Sequence, residues 1–214
     1  MYFLVVDTGW DLPWVSLFGQ NKVLFDRIAA PEEDNGEFLR NCVAGILEDF
    51  SFENRQLYLS VSRGPGRFSA LRVGVSFCKG LGAALNVPVL GWKSTEIMYS
   101  EGVREKFFAA VPSSAGKVHV SLRKKISEAF VSDLGVNVTI DLKDLEKLCS
   151  DWDCSTVIVS NSSLMNKMVK FSFCDLRFSS RCLSRVYKSF FERNDYFENK
   201  EIDYGEVIFA KAEK

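Results

Sequence analysis

Five apolar residues from Tyr2 to Val6, interrupted at Asp7-Thr8-Gly9, and a second apolar run from Trp14 to Phe18 predict a β-hairpin with a polar turn. The stretch "NKVLFDRI" supplies a third strand. In "PEEDNGEFLRNCVAGILEDF" the acids come early and the apolar residues fall at Phe38, Val43, Ile46, Leu47 and Phe50, the spacing of a helix with carboxylates at its electropositive end. "QLYLSVS" then predicts a buried strand, residues 68–85 a second helix ending near "NVP", and "VPVLGW" one more strand.

The second half repeats this order. "FLVVDTGWDLPWVSL" (Phe3 to Leu17) lies over "FAAVPSSAGKVHVSL" (Phe108 to Leu122) at a constant shift of 105 residues, and both read apolar strand, polar turn, apolar strand. A helical stretch, "DLKDLEKLCSDW", and a strand, "STVIVSNSS", follow in the second copy as their counterparts do in the first. The expected architecture is α/β, with two related lobes of β-β-β-α-β type and a cleft between them.

Composition narrows the function. The 214 residues carry a formal net charge of -1, with 47% hydrophobic and 26% charged residues, so a basic nucleic-acid footprint is missing. Any work on RNA would rely on a partner for most phosphate contacts. No basic residue precedes the first apolar run, as a signal peptide requires, and no stretch reads as the roughly eighteen apolar residues of a membrane span; the expectation is a cytoplasmic protein. The six cysteines are scattered without a Cys-x-x-Cys pair, and most sit among apolar neighbours, where a reduced thiol packs as a small hydrophobe. Cys149 and Cys154 are the sole pair close enough in sequence to share a metal, with His119 the sole imidazole, and no metal site is expected.

The Asp7-Thr8-Gly9 turn invites a nucleotide reading. Exposed amides in such a turn can hold phosphate, and an aspartate beside them can hold hydrated magnesium, as in the two-lobed folds of the actin, hexokinase and Hsp70 (ASKHA) type. The ungapped alignment sets Pro112 opposite Asp7, so an acid on the second side is missing. Asp7 could equally serve to tie its own turn. His119, aligned with Trp14 inside an alternating strand, reads as a packed strand residue, and no Gly-x-Ser-x-Gly turn presents a nucleophile.

A sharp corner stands at "RGPGRFSALRVG", residues 63–74, where Gly64 and Gly66 relieve steric limits and Pro65 fixes a backbone angle. Arg63, Arg67 and Arg72 stand near the helix N-terminus that follows, so an anion could bind, although neither a P-loop nor a dinucleotide fingerprint is present. Along the helix, Leu71, Val75, Cys78, Leu81 and Leu85 form the stripe expected to face the sheet. Ala70 and Gly74, and again Gly80 and Ala84, pair on one face. These small residues either ease packing inside the lobe or form a docking surface for another chain.

Loop, helix and following strand together resemble the TsaB (YeaZ) family, on Gly64, Pro65, Gly66, Phe68, Leu71, Arg72, Gly74, Lys79, Gly80, Leu81, Pro88, Gly91 and Ser94, with "VVDTG" similar to the family's first strand end. The resemblance implies a two-lobed ASKHA fold. Residues 1–100, with a C-terminal segment of about 190–214, would form the first lobe, and residues 101–189 a second, degenerate one. It also implies a non-catalytic scaffold or activator subunit in the making of threonylcarbamoyladenosine in tRNA. Such a subunit pairs with a catalytic TsaD-like paralogue and a TsaE-like ATPase, and meets tRNA only indirectly. The partner interface would comprise Phe38, Cys42, Gly66, Phe68, Ala70, Leu71, Gly74, Phe77 and Leu81. An anion or nucleotide, if bound, would meet Asp7, Thr8, Gly9, Arg63, Gly64 and Arg67. No catalytic residue and no cofactor is expected in the isolated chain; ATP or ADP with magnesium would belong to the junction of the complex, and the free chain could pair with itself.

The chain departs from the family pattern in three places. Arg67, Ser69 and Ala70 replace its Ser, Thr and Gly after the corner, "PSSAGKVHV" replaces its second-lobe turn, and "EDNGEF" replaces the His-Ser start of its first helix. The rival expectation is a small ASKHA phosphotransferase or ATPase working through the Asp7 turn; a peptidase lacks both triad and metal ligands.

Overall fold

The computed structural model describes residues 2–10, 12–19, 22–52, 57–96, 98, 105–113, 116–125, 131–159 and 172–175. Their strands form two five-stranded sheets of one topology. β1 (Tyr2–Asp7), β2 (Trp14–Gly19), β3 (Lys22–Ile28), β4 (Leu57–Ser62) and β5 (Val89–Trp92) lie in the order β3-β2-β1-β4-β5. β6 (Lys106–Pro112), β7 (Lys117–Lys125), β8 (Val131–Asp141), β9 (Thr156–Val159) and β10 (Ser172–Asp175) repeat it as β8-β7-β6-β9-β10. The first three strands of each sheet are antiparallel and the last two run parallel to the first. Parallel neighbours need a crossover. α1 (Asn35–Asp49) lies between β3 and β4, α2 (Phe68–Leu85) between β4 and β5, and α3 (Leu145–Asp151) between β8 and β9. β8 is the third strand that the β-β-β-α-β repeat implies for the second lobe, β10 is not among the strands the sequence predicts, and the segment 190–214 lies outside the described residues.

The helices start and stop for local reasons. At α1 the carboxylate of Asp34, within the departing "EDNGEF", accepts from the amides of Gly36 and Glu37, both at 2.9 Å. α2 ends at Asn86 in the left-handed region, where the amide of Val87 bonds back to the carbonyl of Gly82. Leu4, Val6, Val15, Leu17, Leu59 and Val61 pack one face of the first sheet against Phe38, Leu39, Val43 and Ile46 of α1 and Leu71, Val75 and Cys78 of α2. Phe3, Val5, Trp14, Phe18, Leu90 and Trp92 form a second buried layer on the opposite face. Burial on both sides is why these strands read as almost unbroken apolar runs. By length and composition α2 would also pass for a membrane span, contrary to the sequence expectation, yet its Leu71-Val75-Cys78 face is built into this core.

The internal repeat is real in topology but needs one correction in register. Phe3 belongs to the face away from the helices, whereas Phe108 lies on the face that packs against Leu145 and Cys149 of α3. Side chains alternate faces along a strand, so the ungapped superposition puts these first strands one residue out of step. Leu4, paired with Leu17, is the counterpart of Phe108, paired with Leu122. By the same ladder Asp7, paired with Trp14, corresponds to Val111, paired with His119, and not to Pro112. The second hairpin carries one further pair, Pro112 with Val118, before it turns.

Candidate functional site

β1 delivers the Asp7 turn and β4 the glycine corner to one place, because the two strands are parallel neighbours in the middle of the sheet. Gly64 holds φ +97°, a conformation that favours glycine. Gly66 presses on the turn: a Cβ there would stand 2.4 Å from the carbonyl oxygen of Gly9. Thr8 reaches the other way, its hydroxyl donating to the carbonyl of Ala70 at 2.6 Å. Gly74 is turned to the same residue, since its Cβ would lie 2.4 Å from Thr8 Oγ1. The corner is therefore a rigid clamp of α2 on the first hairpin.

Asp7 lies fully buried beneath it. Its Oδ1 accepts from the amide of Gly9 at 2.6 Å, while Oδ2 closes no hydrogen bond. Burial pushes the carboxyl up to about 7, against the pull of the Gly9 amide, the nearby hydroxyls of Ser62 and Ser94 and the Trp10 amide. Ser62 and Ser94 bond to each other at 2.6 Å, and Ser62 Oγ also accepts from the amide of Gly64 at 3.2 Å. These residues do not fit a magnesium nucleotide in the manner of the ASKHA kinases. The acid is sealed, it favours its neutral form up to neutral pH, and its second-lobe counterpart is Val111.

The residues expected to hold an anion thus separate. Thr8, Gly9 and Gly64 are buried in the clamp. The side chain of Arg63 lies across Gly91, 2.4 Å from where a Cβ would stand, and Arg67 is exposed at the N-cap of α2. The expected interface residues separate too. Phe38, Cys42 and Leu71 belong to the core between helices and sheet, and Gly66, Ala70 and Gly74 face the first hairpin. Phe77 and Leu81 are half-buried, packed against that core, while Phe68 stays 50% exposed. The pair Ala70 and Gly74 therefore serves packing within the lobe, which answers half of the question raised by the small residues.

The other half lies on the outer face of α2. Ser69, Val73, Ser76, Gly80 and Ala83 recur every three or four residues and are all exposed, with Val73 at 38%. A Cβ on Gly80 would meet nothing within 4 Å. Phe68 and Arg72 flank the stripe, the guanidinium 5.3 Å above the ring. Small exposed residues around an open Gly80, ending in an aromatic and an arginine, make a surface a second backbone can approach closely, with side chains of the type that anchor interfaces.

On the second sheet, His119 is nearly buried, with Nδ1 3.3 Å from Thr139 Oγ1 and Nε2 3.5 Å from Ser121 Oγ. Burial, with Arg123 and Lys93 near it, lowers its pKa to about 4. Ser121 donates to Asn137 at 2.7 Å, so its hydroxyl is not poised as a nucleophile. Sequence reasoning missed the buried polar set of Ser62, Ser94, Thr95 and Arg123; a charged residue on the interior alternation of a strand was the available signal.

The two sheets of repeated topology give a two-lobed α/β architecture of the ASKHA fold type. A Bacteroides thetaiotaomicron protein with an actin-like ATPase fold superposes with a TM-score of 0.50 at 10% identity, covering 87% of this chain and 95% of that one. YeaZ from Pseudomonas aeruginosa superposes with a TM-score of 0.69 at 18% identity over 90% of this chain and 93% of its own. A second Pseudomonas aeruginosa structure, described as similar to peptidase YeaZ, gives 0.68 at 17% identity with the same coverage. Residues 36–136, somewhat under half of the chain, match the family model of TsaD, tRNA N6-adenosine threonylcarbamoyltransferase. No curated protein matches the sequence. The fold is thus YeaZ-like, and residues 36–136 are similar to the TsaD family.

Proposed function

We propose that this chain is the non-catalytic scaffold and activator subunit of a bacterial complex that forms threonylcarbamoyladenosine in tRNA, pairing through the outer face of α2 with a TsaD-like catalytic paralogue. The observation that carries the reading is the exposed Ser69-Val73-Ser76-Gly80-Ala83 stripe beside Phe68. A lone globular lobe gains nothing from an uncovered glycine in mid-helix, which costs about 1 kcal/mol relative to alanine. A TsaE-like ATPase would join the pair, nucleotide with magnesium would sit at the junction with residues of the other subunits, and tRNA would be reached through the catalytic partner. The rival ATPase reading is weakened by the sealed Asp7.

The test is co-expression with the TsaD-like paralogue of the same source, followed by size-exclusion chromatography and an assay of tRNA modification. The expected outcome is a one-to-one complex whose activity needs this chain, with Val73→Glu weakening pairing at least tenfold while the monomer stays folded. ATP turnover by the isolated chain, abolished in Asp7→Ala, with no complex formed, would refute the proposal.

A further inference from the structure

A chain of buried polar contacts runs from the second sheet to the corner that places α2. It starts at Arg123 on β7, 2% exposed, whose guanidinium donates through Nη2 to Thr95 Oγ1 at 2.5 Å and pairs through Nη1 with Asp133 on β8 at 3.3 Å. Burial would raise the Asp133 carboxyl, but the Gly135 amide, Arg123, Asn137 and Lys93 together hold it below its usual range, so it stays charged opposite the guanidinium. Thr95 belongs to the short 3-10 turn Ser94–Glu96 that follows β5 of the first sheet, and it is fully buried. The preceding residue grips the corner twice: the Ser94 amide donates to the carbonyl of Gly64 at 2.7 Å, and its hydroxyl bonds to Ser62 Oγ. The Arg63 amide adds a bond to the carbonyl of Trp92 at 2.7 Å. From the corner α2 begins directly at Phe68.

We infer that Arg123 is a positioning residue, a latch by which the second lobe fixes the 3-10 turn, the glycine corner and so the angle of α2. Burying a guanidinium is costly unless its donors are satisfied, so Thr95 and Asp133 are partners it must keep. If the second lobe shifts, the turn at Ser94–Glu96 shifts with it or loses the guanidinium. The bearing on partner docking rests on the function proposed above; the mechanical link does not.

Thr95→Val removes the hydroxyl at nearly constant volume and leaves the Arg123–Asp133 pair in place, while Thr95→Ser keeps the hydroxyl. Native-state hydrogen exchange of the intact chain should show the Arg63, Gly64 and Ser94 amides speeding up about tenfold in Thr95→Val, with little change in Thr95→Ser and none across the β7–β8 ladder. Faster exchange confined to β7–β8, a uniform rise over all amides, or no change overturns the latch. Pairing with the co-expressed TsaD-like paralogue is measured on the same variants beside Val73→Glu. If Val73→Glu weakens pairing and Thr95→Val does not, the latch has no part in docking and that half of the inference fails. If neither does, the docking reading itself is at fault, and hydrogen exchange alone decides the latch.

Discussion

Asp7 shows how one residue's setting decides between chemistry and structure. Its folded pKa of about 7 lies above the ordinary 3.8. The folded state therefore holds the proton more tightly, and the stability linked to it is whole below about pH 4 and lost as pH rises toward 7. Asp7→Asn should remove this dependence. We expect the variant to gain as much as about 4 kcal/mol over the wild type at pH 8 and little at pH 4, as read from urea unfolding at the two values. A wild-type stability that is flat between pH 4 and 8 would contradict the sealed carboxyl. The sequence reading singled out Asp7 but left it open between a metal ligand and a turn tie, because burial depends on Gly66 and α2 closing over it from distant positions. His119, by contrast, is legible as a packed strand residue from its alternation with Val118 and Val120, both on the helix-packed face.

At the level of the element, α2 was recovered from its apolar spacing over the same residues, Phe68–Leu85, that the structure assigns to it. Spacing could not tell which small residues faced inward, because Ala70, Gly74, Gly80 and Ala84 look alike on a helical wheel and only the fold sets Thr8 against two of them. The two glycines therefore call for opposite outcomes. Gly74→Ala should destabilise the isolated chain by about 1–3 kcal/mol, since the new methyl must displace the Thr8 hydroxyl from its bond to Ala70. Gly80→Ala should stabilise it by up to about 1 kcal/mol, having open space and a better helix former. Thermal unfolding of both variants checks the pair, and equal shifts in one direction would mean the two faces are wrongly assigned.

For the molecule as a whole, the duplicated topology was legible because each lobe repeats the same order of apolar runs, whereas the bridge from Arg123 to Thr95 was not, since it joins residues far apart in sequence across two sheets. The exposed α2 stripe should also govern association of the chain alone: sedimentation at rising concentration is expected to show a weak homodimer that Val73→Glu abolishes, and a dimer insensitive to that change would use another surface. The offset hairpins have a bearing on how such a molecule can vary in length. Within a ladder an inserted residue turns every following side chain over unless a bulge absorbs it, as Leu24 is absorbed between the Leu17–Phe25 and Phe18–Val23 pairs, so an insertion costs least where pairing has ended. The second copy is longer than the first by one residue between Leu4-Leu17 and Phe108-Leu122, and the helix-packed layers of β1–β2 and of β6–β7 are both intact. Tips of hairpins are thus where a duplicated lobe is free to drift in size, and a family of such chains should show its gaps there while its strands keep step.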